Sequence, residues 1–224
     1  MNFLEIFFNI IFILIGYLIG SISFSITFSK IEYTDDIRKY GSKNAGSTNM
    51  LRVYGKTMGL MTLIADAFKA YLSVSISFLF MFFVPGLESL IPILAGLGAV
   101  VGHIWPVWHK FKGGKGAACI LGCLMASNLL IIIIGAIIFI TIIVWSRYVS
   151  LASIISPIIL ALILLTPWMT YGILGFLNNK SQAFYTNSIV ILVAQLFVIF
   201  AHRSNIIRLW KGNEAKLNLK RNIK

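Results

Sequence analysis

Three short polar segments of the chain combine glycines, hydroxyl or amide side chains and basic residues. They are residues 41–49 (GSKNAGSTN) with Arg52 soon after, residues 102–116 (GHIWPVWHKFKGGKG), and residues 202–208 (HRSNIIR) with Gly212 and Glu214 beyond. Glycines let the backbone turn tightly and point several N–H groups at one centre. Together with lysine and arginine, such groups are suited to binding phosphate.

The first segment leads into a predicted helix, whose N-terminal dipole favours an anion. An ordinary polar loop with a helix cap is the alternative, but a cap needs only one Ser, Thr, Asn or Asp. Residues 41–49 supply five Ser, Thr or Asn side chains, accompanied by Lys43 and Arg52. This excess favours an anion-binding loop.

The second segment ends in a Gly-Gly-Lys-Gly turn, residues 113–116, just before a short apolar stretch. It is not a nucleoside-triphosphate loop, because the positions that need glycine and Ser or Thr are occupied by His109 and Gly116. A phosphate site and a basic turn that touches lipid headgroups both remain open for it.

The third segment places His202 and Asn205 three residues apart, which puts them on one helix face. By itself, a terminal helix of this kind is typical of a headgroup anchor. Asp66 and Lys69 have the same spacing inside an apolar stretch. Charges within a membrane are functional candidates, although a purely structural ion pair is an equal alternative.

The elements that carry these segments are membrane helices. Of the 224 residues 58% are hydrophobic and only 12% are charged, about half the charge of an ordinary soluble domain, and the mean hydropathy is +0.90. These values exclude a soluble protein, a disordered tail and a disulfide scaffold. Cys119 and Cys123 are expected to be buried and structural, since no second Cys pair or His completes a metal site.

Seven hydrophobic segments are candidate spans. They are residues 3–29, 57–84, 90–108, 115–127, 128–146, 149–170 and 185–202. The fourth has about 13 residues, which is short against the roughly 20 that a span needs. The first is expected to be an uncleaved span, because a signal peptide starts with basic residues and the first one here is Lys30.

The net charge of +12 indicates the orientation. If residues 115–146 form a helical hairpin, 17 of the 19 lysines and arginines lie on one side of the membrane; a single crossing would separate the C-terminal basic residues from the rest. We therefore predict an all-α integral membrane protein, a seven-transmembrane-helix bundle with the N-terminus outside and the C-terminus cytoplasmic. Residues 1–224 form a single polytopic domain with cytoplasmic motif loops at 33–56, 102–116 and 202–214.

Taken together, the three segments resemble the motifs of the bacterial acyl-phosphate:glycerol-3-phosphate acyltransferases. The Asp66–Lys69 pair and residues 147–153 (RYVSLAS) also fit that pattern, and the resemblance runs in order along nearly the whole chain. Two departures concern fine substrate preference: Ser47 stands where the family usually has Ala, and residues 117–119 (AAC) replace the usual VAT.

The resemblance implies transfer of a fatty acyl group from an acyl phosphate to sn-glycerol 3-phosphate. The products are 1-acylglycerol 3-phosphate (lysophosphatidate) and phosphate, in the first step of phospholipid biosynthesis. It implies no cofactor, no metal, no acyl-CoA and no nucleic acid partner. The expected protein is a monomer in the bacterial inner membrane, with its active site on the cytoplasmic side.

The resemblance also implies roles for individual residues. The implied catalytic residues are Ser42, Arg52, Lys115, His202 and Asn205. The implied substrate-binding residues are Asn44, Gly46, Thr48, Lys112, Gly113, Gly114 and Arg203. His202 either removes the proton of the glycerol hydroxyl or orients glycerol 3-phosphate while a substrate phosphate takes the proton; the second role is favoured.

Two rival interpretations carry less support. An acyltransferase that uses a His-x4-Asp pair is excluded, because no Asp lies five residues after any of the three histidines. An organic-phosphate transporter would need ionisable groups at the membrane midplane or broken helices in paired halves. Only Asp66 and Lys69 lie deep in a predicted span, and the sequence has no half-to-half symmetry.

Overall fold

A computed structural model describes residues 2–175, 177–179 and 181–217, and the regular structure within these ranges is helical. The α-helices are α1 (Phe3–Gly20), α2 (Phe24–Tyr33), α3 (Ser47–Tyr54), α4 (Lys56–Phe83), α5 (Ile93–Ile104), α6 (Ala117–Ser127), α7 (Leu130–Ser146), α8 (Val149–Ile163), α9 (Pro167–Tyr171), α10 (Thr186–Ala201) and α11 (Arg203–Trp210). Short 3₁₀ turns at Ile37–Lys39 and Val107–His109 lie in the loops. The all-α prediction is confirmed.

Two helical stretches are long and apolar enough to cross a membrane, Phe3–Tyr33 and Lys56–Phe83. A third results if α10 and α11, which meet at a bend of 64°, count as one span. The first stretch is interrupted between Gly20 and Phe24, where the sequence predicts one continuous span. The remaining apolar helices have between 10 and 17 residues.

Residues 115–146 form two helices, as the hairpin interpretation predicts. The backbone of Asn128 is extended, and its Oδ1 accepts a hydrogen bond of 2.8 Å from the Leu130 N–H, which caps the start of α7. Residues 149–170, in contrast, are not one helix. Thr166 is extended before Pro167, the first residue of α9, because a residue that precedes proline avoids the helical region.

Helix α5 lies at the centre of the bundle, where it contacts α1, α4, α6 and α10. It can pack closely on α1 because Gly98 and Gly102 have no Cβ; a Cβ at either position would clash with the α1 backbone. The outer face of α7 exposes Ile133, Ile137 and Ile140. Such an outward apolar stripe indicates contact with hydrocarbon, and the polar loops are confined to the ends of the bundle.

Candidate active site

The first polar loop is organised by one buried side chain. Asn49 is 1% exposed, and its Oδ1 accepts a hydrogen bond of 2.9 Å from the Ser42 N–H. Its Nδ2 donates to the carbonyl oxygens of Tyr40 at 3.0 Å and Asn44 at 3.1 Å. These bonds hold the loop in a fixed curve around the amide.

The loop delivers its polar groups to the start of α3. Gly46 precedes the helix and has no side chain that could cap it. The Asn49 N–H donates to the Gly46 carbonyl at 3.0 Å, whereas the N–H groups of Ser47 and Thr48 have no acceptor among the described residues and can bind an anion. Ser47 and Thr48 lie in this turn, and Arg52 projects from the next one. Arg52 is exposed, and within the described residues it has no ion pair.

The second loop returns to the end of α5. The N–H of Gly113 donates to the Ile104 carbonyl at 3.2 Å, and that of Gly114 donates to the His103 carbonyl at 3.0 Å. The turn leads to Lys115, whose Nζ donates to Asn205 Oδ1 at 2.5 Å. Burial lowers the pKa of Lys115 to about 8; the charges of Arg208 and Arg52 act in the same direction, and Glu214 opposes them.

The third segment lies at the bend between α10 and α11. His202 Nδ1 is 2.8 Å from the Val198 carbonyl, which can only accept, so Nδ1 carries the proton of the neutral ring. Nε2 is then an acceptor, and it has no partner among the described residues. The amide of Asn205 is fixed at both ends, since its Oδ1 accepts from Lys115 and its Nδ2 donates to Glu214 Oε1 at 2.6 Å.

Glu214 lies behind the Asn205 amide and accepts hydrogen bonds from three side chains. Its Oε1 also accepts from Ser150 Oγ at 2.8 Å, and its Oε2 accepts from Arg208 Nε at 2.7 Å. Burial raises the pKa of Glu214, but the hydrogen bonds from Asn205, Ser150 and Arg208 outweigh it and hold that pKa below its ordinary value. Glu214 is therefore an ionised acceptor that ties α8 to the segment after α11.

The three loops line one cleft with a volume of about 580 Å³. Sequence-predicted residues that line it are Ser42, Asn44, Gly46, Thr48, Arg52, Lys115, His202, Arg203 and Asn205. Lys112, Gly113 and Gly114 are not among the lining residues, because Gly113 and Gly114 pack on the end of α5 and Lys112 is exposed.

The lining residues outside the predicted set include Ser150, Glu214, Asp66 and His103. Each belongs to a segment that the sequence singles out, but their place in the cleft depends on long-range packing. Arg38 contributes from outside the cleft. Its Nη1 donates to the carbonyls of His109 at 3.2 Å and Lys112 at 3.0 Å, which joins the first loop to the second.

An apolar groove of about 440 Å³ adjoins the cleft, between α4, α6, α7 and α8. Its walls include Leu60, Leu121, Phe139 and Leu160. The residues that line both cavities are Ser47, Thr48, Ala117, Ala118, Val149 and Ser153. A ligand with a charged head and a long apolar tail can therefore occupy both at once.

A charged cluster is buried beneath the cleft. Lys69 Nζ lies 2.8 Å from Asp66 Oδ1 and 3.0 Å from His103 Nδ1, and Lys69 and Asp66 are 2% and 1% exposed. The predicted Asp66–Lys69 ion pair is thus present and includes a histidine. Within residues 2–175, 177–179 and 181–217, no group of three or more His, Cys, Asp and Glu residues is arranged to hold a metal ion.

Comparison with known proteins points to one family. The family model for glycerol-3-phosphate acyltransferase matches residues 10–212. The chain is 39% identical over 222 residues to the glycerol-3-phosphate acyltransferase of Mycoplasmopsis synoviae (strain 53), which covers 98% of this chain and 99% of the relative. With the corresponding protein of Finegoldia magna it is 41% identical over 189 residues, covering 84% and 86%.

Solved structures agree with the sequence relatives. Crystal structures of PlsY (YgiH), an integral membrane glycerol 3-phosphate acyltransferase, in its glycerol 3-phosphate and lysophosphatidic acid forms each have a TM-score of 0.75 and 30% identity to this chain. The likeness covers 94% of this chain and 96% and 95% of theirs. With the family match over almost the full length, this chain belongs to the glycerol-3-phosphate acyltransferase family, whose solved members are integral membrane proteins.

Proposed function

We propose that this glycerol-3-phosphate acyltransferase takes its acyl group from an acyl phosphate and releases 1-acylglycerol 3-phosphate and inorganic phosphate. The observation that carries the proposal is the continuity of a cationic cleft with an apolar groove. An acyl phosphate has one phosphate and one hydrocarbon chain, joined at the carbonyl carbon that reacts. That carbon would lie where Thr48, Ala118 and Ser153 line both cavities.

The charges of the cleft fit two phosphates. Its cationic lining residues are Lys43, Arg52, Lys115, Arg203 and Arg208, and its acidic ones are Asp66 and Glu214. Both acids are already paired, with Lys69 and Arg208. The uncompensated cations can therefore hold the phosphate of glycerol 3-phosphate and that of the acyl donor. A volume of about 580 Å³ that must contain both also favours a small phosphate leaving group over the nucleotide of acyl-CoA.

In the proposed reaction the C1 hydroxyl of glycerol 3-phosphate attacks the acyl carbonyl, and the bond from that carbon to the phosphate oxygen breaks. Phosphate is a good leaving group, so orientation and electrostatic stabilisation supply much of the catalysis. Ser42, Arg52 and Lys115 hold phosphate oxygens, with Asn44, Gly46 and Thr48 as neighbouring donors along the first loop. Arg203 adds positive charge at the third segment.

His202 and Asn205 orient glycerol 3-phosphate in this proposal. The Nε2 of His202 accepts a hydrogen bond from the C2 hydroxyl, and the proton of the attacking C1 hydroxyl passes to a phosphate oxygen, since phosphate has its second pKa near 6. A His202→Ala variant should therefore lose affinity for glycerol 3-phosphate as well as turnover. A variant that lost turnover at unchanged affinity would instead make His202 the base.

The donor is tested with purified protein in detergent, palmitoyl phosphate and glycerol 3-phosphate. Release of phosphate should require both substrates and should match the lysophosphatidate formed. Palmitoyl-CoA in place of palmitoyl phosphate should give no product; equal rates with both donors, or no product from palmitoyl phosphate, would overturn the proposal. Lys115→Ala should abolish the reaction, whereas Lys110→Ala, an exposed lysine outside the cleft lining, should not.

The seven-span arrangement, with the N-terminus outside and a cytoplasmic C-terminus, is part of the same proposal. Lys115, Ser150 and His202 line one cleft, so each stretch between them must leave that end of the bundle and return to it. Helices α6 and α7 provide one such return, and α8 and α10 provide the next. Helices α4 and α5, which lie between the first and second loops, provide a further return. Residues 1–224 then act as a single membrane domain.

This topology can be tested in whole cells with a membrane-impermeant thiol reagent, because Cys119 and Cys123 are buried. A cysteine at Glu88 should be labelled from outside, and one at Lys211 only after permeabilisation. Reversed labelling would invert the arrangement. The proposed enzyme acts as a monomer in the bacterial inner membrane; light scattering of the purified protein, with the detergent contribution subtracted, measures its mass directly.

A further inference from the structure

The ammonium of Lys69 joins three parts of the bundle beneath the cleft. Besides Asp66 and His103, it contacts the carbonyl of Ile22 at 2.6 Å, in the interruption between α1 and α2. An ammonium has three N–H donors, and three acceptors surround this one. The start of α6 is tied to the same place, because Cys119 Sγ donates to the Asp66 carbonyl at 3.3 Å.

These contacts define which way the His103 ring faces. The Nδ1 edge of the ring faces the ion pair, because Lys69 Nζ is 3.0 Å from His103 Nδ1. Asp66 Oδ1 lies further away, at 3.4 Å. The Nδ1 edge is therefore held towards α4, and the opposite edge is turned towards the loops.

The opposite edge of the ring separates the first two phosphate-binding loops. A Cβ on Gly114 would clash with His103 Nε2 and would lie 2.5 Å from the carbonyl oxygen of Ala45. The ring edge, the Gly114 backbone and the Ala45 carbonyl thus meet at one point. Ala45 belongs to the first loop, and Gly114 directly precedes Lys115.

Main-chain bonds transmit the position of His103 to the turn. The His103 carbonyl accepts the Gly114 N–H at 3.0 Å, and the next carbonyl, of Ile104, accepts the Gly113 N–H at 3.2 Å. The ring and the carbonyl of His103 therefore hold the Gly113–Gly114 turn from two directions. Lys115 projects from that turn towards Asn205.

We propose that Lys69 and Asp66 are positioning residues: they orient the His103 ring, and the ring sets the spacing between the two loops and thereby the location of the Lys115 ammonium. The proposal rests on the proposed phosphate-binding role of Lys115. A pair that served stability alone would gain little here, because the desolvation of a buried ion pair commonly cancels its attraction. Through its contacts with Ile22 and His103, the pair instead fixes the positions of these two residues.

Three substitutions at His103 test whether the ring acts as a spacer. His103→Phe keeps a ring, His103→Gln keeps a nitrogen near the place of Nε2 but no ring, and His103→Ala keeps neither. Equilibrium binding of radiolabelled glycerol 3-phosphate to the purified protein should be close to that of the unaltered protein for Phe. It should weaken about tenfold to a hundredfold for Gln and Ala, the range for loss of one hydrogen bond to a charged group. Rescue by Gln but not by Phe would mean that Nε2 contacts substrate directly and would overturn the proposal.

The ion pair is tested by Asp66→Leu combined with Lys69→Met, which removes both charges and leaves the ring unoriented. Binding should weaken about tenfold, less than for His103→Ala, while the melting temperature stays near that of the unaltered protein, as is common when a buried pair is replaced by apolar residues. Unchanged binding by a folded double variant would reduce the pair to a structural role. If the double variant does not fold, the Phe, Gln and Ala series at His103 still decides whether the ring is a spacer.

A second readout follows Lys115 itself. Its acetylation by a small reagent, measured by mass spectrometry over a pH range, should have a midpoint near pH 8 in the unaltered protein. In His103→Ala the midpoint should move towards the ordinary lysine value of about 10.4, because the ammonium leaves its buried position and the neighbouring cations Arg208 and Arg52. Glu214 and His202 also face it and are unchanged in both proteins. Neither readout uses an acyl donor, so a failure of the acyl-phosphate proposal would leave this test intact.

Discussion

The two ends of the helical bundle are both rich in polar side chains but use them differently. At the end opposite the cleft, Asn179 Nδ2 donates to the Leu90 and Glu88 carbonyls, and Asn178 Nδ2 donates to the Ser127 carbonyl at 2.8 Å. Asn128 Nδ2 donates to the Met169 carbonyl at 2.8 Å. These neutral amides satisfy main-chain oxygens that the loops leave open, and they close that end of the bundle.

At the cleft end the buried amides are equally occupied, but the cations are not. Asn49 and Asn205 are held by loop and side-chain partners, whereas Arg52 has no ion pair among the described residues. Polar residues in a membrane bundle therefore mark a site only where donors and charges remain for a ligand. At the opposite end the same residue types only satisfy main-chain oxygens and close the bundle, so we call that end the sealed end.

The largest expected effect comes from Arg52→Ala, which removes an uncompensated cation. We expect kcat/KM for glycerol 3-phosphate to fall by about 10² to 10³, the range for loss of one donor to a charged reacting group. The melting temperature should not change, because the side chain is exposed on α3. Arg52→Lys is the matched control; it keeps the charge without the planar fork and should recover part of the activity. Full activity of Arg52→Ala would remove this residue from the site.

Glu214→Gln tests the support behind the cleft. The carboxylate accepts from Ser150, Asn205 and Arg208, and an amide has only one accepting oxygen for these donors. Asn205 should lose its orientation and Lys115 its partner, which lowers kcat/KM by about 10² if the atoms shift by about 1 Å.

Its control is Ser150→Ala, which removes a single donor and should have a smaller effect on steady-state kinetics. The melting temperature of Glu214→Gln should also drop, because a buried amide hydrogen then faces Arg208. Glu214→Gln with unaltered kinetics would show that Asn205 needs no such support.

The three loops, and nine residues that line the cleft, could be predicted from the sequence for a physical reason. Serines, amides and cations between glycines are a local pattern, so Ser42, Arg52 and Lys115 are visible without a fold. Asn49 lies in the same pattern, but its role requires knowing that the loop closes around it.

The rest depends on packing between distant segments. Lys112 looks like a site residue by its neighbours, yet the loop that Arg38 holds by its carbonyls turns Lys112 outwards. His103 meets Asp66 only because α5 packs against α4. The interruption between Gly20 and Phe24 is likewise hidden in the sequence, since after Glu5 and Asn9 the stretch up to residue 29 is mostly apolar and its small polar side chains do not by themselves end a helix.

The pH dependence of the reaction gives a smaller, graded effect. Lys115 has a lowered pKa of about 8, so in the free enzyme its charge is present below that pH and is lost as the pH rises through it. A phosphate ligand needs the charged form, so kcat/KM should be level just below pH 8 and fall about tenfold per pH unit above it. Glu214, with its lowered pKa, is ionised throughout this range.

Lys115→Arg separates this lysine from other groups, because arginine stays charged to a pH above 12. The variant should be slower at every pH, and its profile should lack the fall above pH 8. A fall with the same midpoint in Lys115→Arg would assign the ionisation to another group. The measurement is a series of initial rates at low glycerol 3-phosphate concentration.

The smallest effect on activity is expected at the sealed end. Asn179→Ala removes the side-chain donor to the Glu88 carbonyl and one of the two donors to the Leu90 carbonyl, the other being Gln182 Nε2; Asn179 is only 8% exposed. A buried acceptor without a partner costs about 1–3 kcal/mol, so the melting temperature should drop while KM for glycerol 3-phosphate stays unchanged. Gln182→Ala is the matched control with the milder outcome, since Leu90 keeps Asn179 as a donor. A raised KM in a folded Asn179→Ala variant would mean that the two ends are coupled through the helices, and the contrast between seal and site would then fail.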